Sequence, residues 1–128
     1  MHKLFAGIIA AACVIGLSGT AFAKTETIKG QIVDSACYKM DKTNTGADHK
    51  MSKGPAKDCA VQCAKNGNTM AVLTSDGKLY ELAGGLAANK NEKIIAHVGH
   101  TVEVTGDVMD HGGGRMMISA DTLKMVGK

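Results

Sequence analysis

Residues 100–108 read His-Thr-Val-Glu-Val-Thr-Gly-Asp-Val, the cleanest alternation in the chain. Val102, Val104 and Val108 fall on one face and Thr101, Glu103 and Thr105 on the other, the period of two that a half-buried strand requires. Downstream, Asp110-His111-Gly112-Gly113-Gly114 reads as a flexible turn, and Arg115 to Lys124 as the strand that pairs back across it. Upstream, Thr69 to Thr74 and Lys78 to Leu82 flank Ser75-Asp76-Gly77 and read as a hairpin. Thr25 to Val33 sets Ile28 and Ile32 around Gly30, as a strand with a bulge at that glycine would. Residues 38–54 have no period and are rich in Asn, Asp, Thr, Gly and Lys, which predicts a long exposed loop. Pro55 suits the first position of a helix and Gly67 the residue just past its end, bracketing a three-turn helix from Ala56 to Asn66. Residues 83–93 read as a further connection.

Five short strands with mostly tight connections favour closure, because a closed sheet has no exposed edge. The expected fold is mainly β: a small OB-like five-stranded barrel with one short helix inserted after the first strand. A small sandwich shares the same periodicity and stands as the alternative.

The chain opens Met1-His2-Lys3 and then runs from Leu4 to Leu17 without a charged residue. A helix that crosses a bilayer needs about 20 apolar residues, and this run gives way at Ser18-Gly19-Thr20 to the small-x-small pattern Ala21-Phe22-Ala23. That is the arrangement of a signal peptide cleaved after Ala23. A lipoprotein reading at Cys13 meets Ala10 three positions earlier, where a bulky residue is usual. The expected organisation is a signal peptide over 1–23 and a single OB-like domain over 24–128, with no membrane span after cleavage. The expected location is periplasmic, or secreted in a cell without an outer membrane.

Losing Lys3 lowers the formal net charge from +3 to +2. The remaining basic residues are scattered, so charge nominates neither nucleic acid nor a membrane surface. Trp is absent, and after cleavage the aromatic residues are Tyr38 and Tyr80, too few for base stacking. No Ser/His/Asp order and no paired carboxylate set stands out, which predicts a protein that is not an enzyme. A protein partner has no signature in the sequence.

Cleavage also removes Cys13 and leaves Cys37, Cys59 and Cys63, an odd set for an oxidising compartment. Cys59 and Cys63 stand four apart on the predicted helix and therefore side by side. Parallel side chains on a helix must bend to meet disulfide geometry, so Cys37 is the better partner for either. With His49 in the intervening loop, the four residues make a Cys3His set suited to tetrahedral zinc or, through soft thiolates, to Cu(I). The competing reading is a disulfide from Cys37 to Cys59 or Cys63, with the third cysteine buried. Closing a loop of about 20 to 25 residues would stabilise the fold by about 3 kcal/mol, and the protein would then be an OB-like binding or interaction module without metal. Spacing does not separate the two. A thiol redox protein is the third reading, because Cys59 lies near a helix start that favours thiolate, although the chain has no Cys-x-x-Cys. Asp34 and Asp58 read as turn and helix-start residues.

Methionine supplies a second candidate soft site. Met109, His111, Met116 and Met117 cluster around the Gly-rich turn, and thioether and imidazole donors suit copper. Core filling accounts for the same methionines in a chain poor in aromatics. His97 and His100 flank Val98-Gly99 at a strand start and read as surface or hydrogen-bonded residues.

Three runs taken together resemble a known group: Gly30-Gln-Ile-Val-Asp34-Ser-Ala-Cys37, then His49, then Cys59-Ala-Val-Gln-Cys63-Ala-Lys-Asn-Gly67, with Gly99-His-Thr-Val-Glu-Val-Thr-Gly106 beyond. They are similar to small exported bacterial proteins with an OB-like barrel and an Asp-x-x-Cys, His, Cys-x3-Cys order. The resemblance spans most of residues 24–128. It implies the barrel and the location of a site but no activity, and it favours the metal reading over the staple. The expectation is an exported protein that holds one zinc or copper ion through Cys37, His49, Cys59 and Cys63, in a structural or metal-handling role.

Overall fold

The computed structural model describes residues 23–49 and 58–127. Strand β1 spans Lys24–Asp34, β2 Met70–Leu73, β3 Leu79–Ala83, β4 Thr101–Asp110, β5 Met116–Ser119 and β6 Leu123–Gly127. Helices α1 (Ser35–Met40) and α2 (Cys59–Lys65) lie between β1 and β2. The strands hydrogen-bond in the order β1-β2-β3-β5-β4, and β4 pairs back onto β1 to close five strands into a barrel, while β6 continues along β4. Neighbours are antiparallel except β3 and β5. This is the small OB-like barrel that the periodicity predicts.

Closure depends on β1 serving two partners. Lys24 to Gln31 pair with Val108 to Thr101 of β4, and Gln31 to Asp34 pair with Leu73 to Met70 of β2. Where the strand passes from one partner to the other, a Cβ on Gly30 would lie 2.2 Å from the Leu73 carbonyl oxygen. The pairing with β4 runs unbroken through Gly30, so the expected bulge is absent and the glycine is there for close backbone approach. Inward positions follow the alternation: Ile28, Ile32, Val72, Leu82, Val102, Val104, Val108 and Ile118 share one buried cluster. Burying each such side chain contributes about 1.5 to 3 kcal/mol, and a one-residue slip would turn a whole strand's set outward.

Three departures from the sequence reading matter for the site. The strand expected over 115–124 is broken between β5 and β6, because Ser119 and Ala120 turn in against Gly106 of β4, where a Cβ would lie 2.1 Å from the Ser119 carbonyl oxygen. The break frees Ala120 O to accept the Leu86 N–H at 2.9 Å and Asp121 Oδ1 to accept the Gly85 N–H at 3.0 Å. The connection expected over 83–93 contains a short helical turn at Gly84–Leu86 and a left-handed run from Asn89 to Asn91, a second helical turn follows at Ile95–His97, and together they deliver Leu86, Ile94 and Val98 to the core.

The third departure is that two helices, not one, follow β1. Helix α1 occupies part of the expected loop and is too short to show a period. Helix α2 begins at Cys59 because Asp58 is left-handed (φ 55°) and its N–H is taken by the Asp48 carboxylate at 2.6 Å. Pro55 and Ala56, where the start was expected, lie outside the described residues. The stop matches expectation. Gly67 (φ 85°) donates its N–H to Ala64 O at 2.9 Å and Asn68 donates to Cys63 O at 3.0 Å, the paired bonds of a Schellman motif. Of the expected signal peptide, residues 1–22 also lie outside the described residues. No described helix is long and apolar enough to cross a membrane.

Candidate metal centre

Helix α2 lies over the end of the barrel with Ala60 and Ala64 buried in the core, and Cys63, beside Ala64, reaches the place where β1 becomes α1. The residue at that junction is Asp34. Its Oδ1 accepts the Cys37 N–H at 2.8 Å, which caps α1 and sets Cys37 one turn along from it. One carboxylate oxygen of Asp34 and the sulfurs of Cys37 and Cys63 all lie within 4.8 Å of one another. Asp34 is 0% exposed, and its Oδ2 has no hydrogen-bond partner among the described residues.

Cys59, one turn before Cys63, comes within 4.3 Å of it. Two thiolates on one tetrahedral zinc, each at about 2.3 Å, stand about 3.8 Å apart, whereas a disulfide requires about 2.05 Å. No disulfide joins Cys37, Cys59 and Cys63.

Burial pushes the Cys37 thiol up to about 11, and the Asp34 carboxylate adds to the shift. Burial and then Asp34 likewise push Cys63 up to about 12. Without a cation both thiols stay protonated at neutral pH, since burial and the Asp34 charge disfavour a further anion there. A divalent ion reverses that balance and deprotonates a coordinating thiol outright. Sulfur and carboxylate oxygen together are donors for zinc, and the sulfurs also suit Cu(I).

The elements that carry the donors are fastened by other contacts. Glu81 on β3 is buried and accepts Ser35 Oγ at 3.1 Å, Lys39 Nζ at 2.6 Å and Arg115 Nε at 2.8 Å. Ser35 and Lys39 are one turn apart on α1, so Glu81 pins that helix to the barrel. Burial opposes the charge on Glu81, but Lys39, Arg115 and Ser35 outweigh it and hold the carboxyl at about 2. Helix α2 is held at its start by the Ala60 N–H on Ala47 O at 2.9 Å. At its end Asn91 Nδ2 donates to Ala64 O at 3.0 Å and to Asn68 O at 2.9 Å. Asn91 is left-handed (φ 62°), as are Asn89 and Lys90 before it, and its buried hydrogen bonds offset that local strain.

The structure therefore brings together two of the four expected ligands, Cys37 and Cys63; Cys59 approaches Cys63 but falls outside the group whose donors share 4.8 Å. His49 is 2% exposed and falls outside the group whose donors share 4.8 Å. Neither of its ring nitrogens has a hydrogen-bond partner among the described residues. Its loop is strapped to the first turn of α2 through Ala47 and Asp48. Asp34, which the sequence reads as a turn residue, is the third member of the cluster; the signal for it was the Asp-x-x-Cys spacing.

The second candidate soft site is divided. Met109 and Met117 are register partners on β4 and β5, while Met116 packs against the core, because neighbours along a strand face opposite ways. His111 is exposed on the turn. These four residues do not share one site. His97 and His100 are partly buried, and the Nδ1 of each has no hydrogen-bond partner among the described residues.

Comparison with family models, with curated proteins and with solved structures finds no match to this chain.

Proposed function

We propose that this chain is an exported protein that binds one zinc or Cu(I) ion through Asp34, Cys37 and Cys63, with Cys59 as the fourth donor. The observation that carries the reading is the Asp34 carboxylate, wholly buried, with one oxygen within 4.8 Å of two sulfurs from separate helices. A buried carboxylate with one backbone N–H and only weakly donating thiols around it is costly, and a cation bound to it together with the two sulfurs removes that cost. Cys59 is nominated by its 4.3 Å approach to Cys63, close to the separation of two thiolates on one ion. His49 is the other candidate for the fourth position, on the strength of its two buried ring nitrogens. Export is supported by the basic start, apolar run and Ala-Phe-Ala pattern of residues 1–23.

The test is to purify the exported chain, alkylate its thiols under denaturing conditions before reduction, and measure bound metals by elemental analysis. About one equivalent of metal with Cys37, Cys59 and Cys63 all alkylated supports the reading. A single alkylated cysteine and no metal overturns it in favour of the disulfide-stapled module. Comparing Cys59→Ser with His49→Ala then assigns the fourth donor, since the true ligand's variant loses affinity and the other does not.

A further inference from the structure

Two features of the Asp34, Cys37 and Cys63 cluster bear on what its ion is for. The first is that each donor sits on an element fastened to the barrel by contacts of its own. Asp34 ends a barrel strand paired to β2. The helix carrying Cys37 is capped by Asp34 and pinned by Glu81. The helix carrying Cys63 buries two alanines in the core and is fixed at its end by Asn91. The second feature is asymmetry: Asp34 and Cys59 are buried while Cys37 and Cys63 are both partly exposed, so the cluster is open to solvent at these two residues. Structural zinc sites have the opposite character, with closed coordination and a fold that does not form without the metal.

We infer that the ion is cargo, taken up and released by ligand exchange while the barrel stays folded. This rests on the metal-binding reading and adds to it a handling role in place of a structural one. A thiolate, thioether or imidazole of the receiving molecule attacks the ion from the solvent side, and the ion passes through a five-coordinate state of the kind zinc admits. Bonds from the entering donors to the metal form one at a time as those from Cys37, Cys63, the fourth donor and Asp34 break, and each released thiolate takes a proton from water. No electron is transferred. The receiving partner is thus a molecule that presents soft donors at its surface.

The experiment uses the exported full chain loaded with one equivalent of zinc(II), or with Cu(I) under exclusion of oxygen where zinc does not bind. Transfer is followed to a chromophoric chelator, pyridylazoresorcinol for zinc and bicinchoninate for Cu(I), over a hundredfold range of chelator concentration. Far-ultraviolet circular dichroism and a urea titration of the metal-free chain run alongside. The expected result is a metal-free chain that keeps its strand signal and a cooperative urea transition, with a transfer rate that rises in proportion to chelator concentration. A metal-free chain that is unfolded overturns the inference, as does a transfer rate that is flat in chelator and equal to the rate of global unfolding; in both cases the ion is a structural part. A chain that binds neither ion overturns the metal-binding reading itself, a result distinct from a bound ion that leaves only on unfolding.

Discussion

Asp34 uses its two oxygens differently. Oδ1 caps α1 through the Cys37 N–H, Oδ2 has no hydrogen-bond partner among the described residues, and one of the two oxygens lies within 4.8 Å of both sulfurs. Asparagine caps a helix about as well as aspartate but brings no charge. Asp34→Asn is therefore expected to weaken metal binding at least tenfold, about 1.4 kcal/mol, while leaving the metal-free chain as stable as before or more so. Competition with a chelator of known affinity and urea titration of the metal-free variant check the two halves. A variant that binds metal normally would remove Asp34 from the ligand set. The cysteines were legible from their order and their number once the expected signal peptide is set aside, because only a few residue types bind soft ions. Asp34 was not, because an aspartate before a short helix reads as a cap, and here it is one. What makes it a candidate donor is its burial close to the Cys63 sulfur, which α2 brings from elsewhere in the chain.

At the scale of elements, the attachment of α1 and α2 is where stability and pH dependence reside. Glu81 has its carboxyl held at about 2 against an ordinary value of 4.5. A folded-state value below the unfolded one stabilises the fold at neutral pH, and the contribution is lost as pH falls from about 4.5 toward 2. Because Lys39 and Arg115 are about half exposed at their side chains, solvent reduces the effect to about 2 kcal/mol or less. Urea midpoints measured from pH 7 to pH 2.5 are expected to show this loss in the parent chain, and Glu81→Gln is expected to flatten that part of the curve. At the other helix, Asn91→Ala removes both bonds at the α2 terminus and places a less tolerant residue at φ 62°. A loss of about 2 to 3 kcal/mol in urea unfolding is expected, with little change in the far-ultraviolet spectrum. Of these elements, the end of α2 at Gly67 was readable from the sequence, since a glycine stop is local chemistry. Helix α1 was not, because six residues carry no usable period.

For the molecule as a whole, the ladder between β1 and β4 closes the barrel and joins residues far apart in sequence. Amides on that ladder are expected to exchange with solvent only through global unfolding, whereas α1 and the loop through Asn44 to His49 open locally and exchange sooner. Hydrogen exchange followed by NMR tests this order. Binding of zinc is expected to slow exchange around Cys37 and Cys63 and to leave Ile28, Val102 and Val104 at their global rate. Uniform slowing of every amide would instead mean that the ion and the fold are one cooperative unit. Gly106→Ala belongs at this scale too, since its Cβ would meet the Ser119 carbonyl oxygen and displace backbone where two strands share β4. It is expected to cost about 3 kcal/mol or more, seen as a lowered urea midpoint at unchanged slope.

The sequence by itself determined a mainly β chain of short strands, the hairpin turn at Ser75-Asp76-Gly77, the helix stop at Gly67 and the soft character of the available donors. Those features follow from backbone preferences and a period of two, which act between near neighbours. Closure into a barrel and not a sandwich was decided by the pairing of β1 with β4. The same period already sets Met116 and Met117 on opposite faces, so the division of the second soft site was legible once that run was taken as a strand. The tertiary structure decided that Asp34 joins Cys37 and Cys63 while His49 stays outside their group. It also decided that the last strand breaks to meet the β3–β4 connection. Convergence of donors depends on where α2 packs on the barrel end, and that position is set by contacts with β1, Asn91 and Ala47 across long sequence separations. Local patterning has no means of encoding a distance between such residues.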